Sequence, residues 1–149
     1  MRLHSFTYHQ LVDSRVSPSF ARILREPSSY HPDFSILVGE TNFDYFLPDG
    51  VTDIVPLWDT NADSYVRWNR GGKNEFVWLF HDDPSWMLIA RCERGIMARL
   101  WQQWAEFQES ETECRRFADA IGFRYCEDGL KVIEDESDAI DKWCLSLPG

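Results

Sequence analysis

The sequence predicts an α+β fold, an antiparallel sheet packed by helices that are mostly C-terminal. Two observations carry that expectation. Between residues 51 and 80 the apolar residues are β-branched or aromatic and are separated by short turn-forming stretches. From residue 94 onward the apolar spacing changes to that of amphipathic helices. The length of 149 residues is that of one domain, enough to bury a core without disulfide or metal staples.

Taken in order, Ser17 followed by Pro18 marks a helix start: a serine cap, then proline where its missing N–H costs nothing. Phe20, Ile23 and Leu24 share one face, and the helix should stop before Pro27. Residues 27–50 hold three prolines and little pattern, so the N-terminal 50 residues carry the weakest assignment. "FSILV" (34–38) reads as a short strand, and "DYFLPDG" ends in a turn at Asp49-Gly50.

A meander follows. "VTDIVPLW" (51–58) is a strand whose Pro56 marks an edge or a bulge. "SYVRW" (64–68) alternates, with Tyr65 and Arg67 on one face and Val66 and Trp68 on the other. "EFVWLF" (75–80) is apolar on both faces and should be the most buried strand. Gly71-Gly72 supplies the positive φ angles of a tight hairpin turn.

Beyond a connecting loop containing Trp86, Ile96, Met97, Leu100, Trp101, Trp104 and Phe107 form one apolar helix face over 94–108. Ser110-x-x-Glu113 is a capping box and Gly122 a C-terminal glycine, which bound a helix with Cys114, Phe117, Ala118 and Ile121 inward. "LKVIE" (130–134) fits a short strand or a loop. A last helix is expected over 136–145, with Ala139, Ile140, Trp143 and Cys144 inward.

Net charge is −10 and is concentrated: residues 106–141 carry 12 acids against 4 bases. That balance argues against nucleic acid as a partner, because phosphates require Lys and Arg, and it suits a basic protein. The N-terminus has no apolar signal-peptide core and no apolar run is long enough to span a membrane, so the expected location is the cytoplasm. Cys92, Cys114, Cys126 and Cys144 lack zinc-type spacing and are expected to be reduced thiols.

Two stretches imitate catalytic or metal-binding motifs. Asp59, Asn61 and Asp63 spell D-x-N-x-D, the first half of a calcium loop. Such a loop needs glycine at its sixth position and glutamate at its twelfth; here those are Ser64 and Arg70. The stretch reads instead as an Asx-rich turn between strands. His81, Asp82 and Asp83 have the residue types of a metal-dependent hydrolase, but His4, His9 and His31 lie far upstream in no ligand spacing. No Walker loop, G-x-G-x-x-G or G-x-S-x-G is present, and no cofactor is expected.

Over residues 47–108 the order of features resembles the SUKH superfamily, which includes yeast cell-wall-synthesis regulators and bacterial toxin-immunity proteins. The residues that carry the likeness are Asp59, Asn61 and Asp63 in a polar turn, then His81, Asp82 and Asp83 at a strand end, then Ile89-Ala90 and the helix from Arg94. The resemblance implies a non-catalytic binding module. With the acidic charge, it leads to the expectation of an immunity-type protein that neutralises a basic, nuclease-like toxin. The expected contact residues are Asp59, Asp63, Asp82, Asp83 and Trp86, with the acidic stretch 127–141 as a competing surface. The alternatives are a metal-dependent hydrolase using His81, Asp82 and Asp83, and a regulatory adaptor with no toxin.

Overall fold

A computed structural model describes residues 2–7, 16–34, 42–60, 63–80, 83–135 and 137–148. The fold is α+β: a four-stranded antiparallel meander is followed by C-terminal helices that pack on it. Strands β1 (Arg2–Thr7) and β2 (Asn42–Leu47) pair with each other. The main sheet is formed by β3 (Val51–Thr60), β4 (Asp63–Arg70), β5 (Lys73–Leu79) and β6 (Trp86–Ala90), in that spatial order. Helix α1 (Pro18–Arg25) lies between β1 and β2; α2 (Glu93–Ala105), α3 (Glu111–Ile121), α4 (Cys126–Ile133) and α5 (Ser137–Ser146) follow the main sheet.

Local chemistry sets most boundaries. Ser17 caps α1 by accepting from the Phe20 N–H at 3.3 Å, and Pro18 occupies its first position. The backbone N–H and Oγ of Ser17 in turn donate to the Glu93 carboxylate at the start of α2. One carboxylate therefore serves two helix N-termini, where negative charge is favoured. Gly71 and Gly72 take φ of +61° and +83° in the β4–β5 hairpin. Gly122 ends α3 in the left-handed conformation. At Ser110-x-x-Glu113 the cap is one-sided: Ser110 Oγ accepts from the Glu113 N–H, while the Glu113 carboxylate turns to His31 and Arg116.

The sheet buries both faces. Val55, Leu57, Trp58, Tyr65, Phe76 and Ile89 join the helices in the larger core; Leu47, Val51, Val66, Trp68, Val77 and Leu79 form a second cluster. The expected alternation at 64–68 is present, with Tyr65 in one cluster and Val66 and Trp68 in the other. Pro56 does sit on an edge strand, with a register break beside it.

Three expectations need correction, and one unassigned region gains strands. The meander has a further strand, so Trp86 lies in β6, paired with Leu79, and not in a loop. The "LKVIE" segment is neither strand nor loop: residues 130–133 are the second half of α4. Its Gly129 weakens helix propensity but is required, because a Cβ there would strike Trp101 and lie 2.7 Å from Trp143. Helix α2 ends at Ala105, so Phe107 falls beyond it and is exposed, not part of the apolar face. Arg2–Thr7 and Asn42–Leu47 are strands in a region that had no clear pattern. Of "FSILV", only Phe34 is among the described residues, and it is buried.

Candidate functional site

The strand register decides whether the two acidic turns can act together. Asp59 pairs with Ser64, Ser64 with Leu79, and Leu79 with Trp86. These residues form one row across the sheet, so the β3–β4 and β5–β6 connections leave the same end. At about 4.8 Å per strand, the backbones of Asp59 and Trp86 are ~14 Å apart, a span one protein partner can cover.

Asp59 and Asp63 are strand residues flanking the connection, and Thr60 is paired with Asp63. Burial raises the pKa of Asp59, and its Oδ1 is buried with no hydrogen-bond partner. Asp83 is exposed; its carboxylate accepts from the Ser85 N–H at 2.8 Å and the Ser85 Oγ–H at 2.6 Å, which lowers its pKa. Asn61, His81 and Asp82 lie outside the described residues. Among the described residues, no group of three or more His, Cys, Asp or Glu could hold a metal ion.

Trp86 is half-buried, not projecting. Its ring meets Trp68 edge-on at 5.2 Å, and the Arg70 guanidinium lies 4.9 Å from its centroid. Arg70 is held in turn by Glu75, through Nε at 2.9 Å and Nη2 at 3.2 Å, and Glu75 also accepts from the buried Trp68 indole. Burial tends to raise the Glu75 pKa, but the hydrogen bonds from Arg70 and Trp68 and the Arg70 charge outweigh it and hold the carboxyl below its usual range.

The opposite face of the same end is covered by α2. Rings of Trp58, Tyr65 and Trp78 stack in a row, with centroids 4.5 and 5.5 Å apart. Arg99 Nε and Gln103 Nε2 both donate to the Tyr65 hydroxyl, at 3.2 and 2.7 Å; Gln103 Oε1 accepts from the Trp58 indole, and Arg99 pairs with Asp141. Helix α2 starts beside Ala90 at the far end of the sheet. Arg99 lies over β4 and β5 and Gln103 over β3 and β4, at one row of the sheet, so α2 crosses the strands toward the β3 edge. Beyond its C-terminus Phe107 is 84% exposed, the one large apolar side chain exposed among the described residues. Glu106 and Glu109 flank it in sequence. Apolar spacing alone placed Phe107 in the core; the helix boundary, the least legible feature of a sequence, reversed it.

In the competing stretch 127–141, three carboxylates are already engaged: Glu127 by Arg115, Asp138 by Lys142 and Asp141 by Arg99. A cleft of about 550 Å³ between α3 and α4 is walled by the same Arg115–Glu127 pair. The four cysteines form no disulfide; Cys114, Cys126 and Cys144 are buried, and burial pushes the Cys126 and Cys144 thiols up to about 11 and about 12. No helix of the described residues is long and apolar enough to cross a membrane. Comparison with known proteins found no matching family model, curated protein or solved structure.

Proposed function

We propose that this chain is a non-catalytic protein-binding module of SUKH-like, immunity type, which neutralises a basic, nuclease-like toxin by covering its active surface. The observation that carries the reading is the shared end of the sheet: by the register, the connection flanked by Asp59 and Asp63 and the connection holding Asp83 leave the same end, and Phe107, beyond the end of α2, is the exposed aromatic. Carboxylates steer a basic partner and an exposed aromatic gives it an apolar contact, the division of labour common at protein interfaces. Trp86 supports the surface from behind, through Trp68 and Arg70, more than it contacts the partner.

The test is a pull-down from the source cell with wild type and with Asp59→Lys/Asp63→Lys/Asp83→Lys. The expected result is a basic protein retained by wild type, released by added salt, and lost from the triple variant. Equal capture of the same proteins by both chains would overturn the assignment of the surface. Hydrolysis of phosphodiester or ester substrates with Mn²⁺ or Zn²⁺, abolished in His81→Ala, would overturn the non-catalytic reading.

A further inference from the structure

The two edges of the main sheet are built differently. Edge strand β3 carries the features that prevent edge-to-edge pairing: Pro56 lacks a donor, Asp53 adopts φ +54°, and the register breaks on both sides of Val55-Pro56. Edge strand β6 reads Trp86-Met87-Leu88-Ile89-Ala90, with no charge and no proline. Its one irregularity lies at its far end, between the pairs Val77–Leu88 and Phe76–Ala90. Among the described residues β6 pairs only with β5, and no turn or loop backbone bond reaches residues 86–90. Trp86, Met87 and Leu88 are partly buried against the two cores and each keeps some solvent-exposed area although all three are apolar. An apolar edge with unpaired backbone groups is a template for another strand.

We infer that β6 pairs antiparallel with β6 of a second copy of this chain, about a two-fold axis at Met87. The charge pattern selects that occupant. Each chain carries −10, which opposes self-association, yet the edge itself is neutral. It is bracketed by exposed Asp83 on one side and exposed Arg91 on the other. A two-fold at Met87 sets Trp86 of one copy against Leu88 of the other and brings the segment that carries Asp83 beside the segment that carries Arg91 at both ends. The edge is therefore complementary to itself in polarity, apolar content and charge, as an isologous interface requires. The pairing does not rest on the toxin-binding reading but shares Asp83 with it; Asp59 and Asp63, on β3 and β4, lie away from the β6 edge.

The experiment is sedimentation velocity on the full chain at up to about 200 µM, above the micromolar dissociation constant suited to so small a contact. The expected species at high concentration has twice the 17.5 kDa chain mass. Asp83→Arg and Arg91→Asp, both at exposed positions, should each weaken the dimer about ten-fold or more, and the double swap should restore it. Circular dichroism on each variant checks that the fold is intact. A chain that is monomeric throughout the range overturns the inference. So does a dimer that is indifferent to both single reversals, since its interface would lie elsewhere.

Discussion

Each face of the main sheet sets a buried tryptophan beside a network that includes a charged side chain, but over very different lengths of chain. On one face Trp68, Arg70 and Glu75 meet within a single hairpin, five and seven residues apart. On the other, Tyr65 is held by Arg99 and Gln103, 34 and 38 residues later, and Arg99 by Asp141, another 42 on. The first network is complete as soon as β4 and β5 pair. The second exists only when α2 and α5 are seated. One is a property of a hairpin; the other reports the placement of the whole helical layer.

The largest effect that would test this contrast is Glu75→Ala. It leaves the buried Trp68 indole N–H without an acceptor and releases Arg70, at a cost of about 3 kcal/mol in urea denaturation. The change should add to Tyr65→Phe within ~0.5 kcal/mol, because the two networks lie on opposite faces. A larger coupling energy would show that the faces are not insulated. Next comes Gly95→Ala in the helical layer. A Cβ there would lie 2.5 Å from the Cys144 carbonyl and 2.6 Å from Ala90, at the crossing of α2 with α5. We expect a loss of ~2 kcal/mol, overpacking exceeding the gain in helix propensity. It should also weaken the Arg99–Tyr65 contact, visible as a smaller Tyr65→Phe effect in that background.

Tyr65→Phe alone should cost about 1 kcal/mol, since Gln103 and Arg99 lose a shared acceptor but Arg99 keeps Asp141. A smaller effect concerns pH. The Glu75 pKa is lowered on folding, so its ionised form stabilises the fold above the ordinary glutamate pKa of about 4.3. That contribution is lost as pH falls through the folded value. The stability gap between wild type and Glu75→Gln should therefore be widest near neutrality and close in acid, in parallel melts at pH 7 and pH 3. The least effect is expected at Phe107→Ala, a largely exposed position outside both networks: under ~0.5 kcal/mol. A large loss there would mean that Phe107 packs in solution and is not available to a partner.

The same contrast explains what could be read from the chain alone. The meander was legible because its signals are local: Gly71-Gly72 fixes the hairpin, and Pro56 marks the edge. Counting outward from that turn even pairs Trp68 with Glu75, a contact open to sequence reasoning but not drawn from it. β6 was missed because five consecutive apolar residues have no period, and α4 because Gly129 argues against helix until the indoles packed on it are known. Tyr65–Arg99 and Trp58–Gln103 depend on how α2 crosses the sheet, which no local pattern encodes. For the candidate surface, residue types pointed to the two acidic turns. Their common end follows from strand count, whereas the exposure of Phe107 required the observed end of α2.

The Trp68–Glu75–Arg70 network also bears on the order in which the molecule assembles. Contacts only a few residues apart require little loop closure, so this hairpin has little entropy to overcome and, unlike β3–β4, pairs without a register break. It brings its own turn, an indole and a charge pair, and its two strands are the interior ones of the sheet. β3 and β6 can each add to a ready side, and only then is there a surface on which α2 can settle. Mutations at Glu75 or Gly72 should accordingly slow folding, with φ-values near the upper end, while changes at Gly95 or Asp141 should mainly hasten unfolding. The buried carboxylate would then be more than a local stabiliser: it would set the rate at which the rest of the chain finds its template.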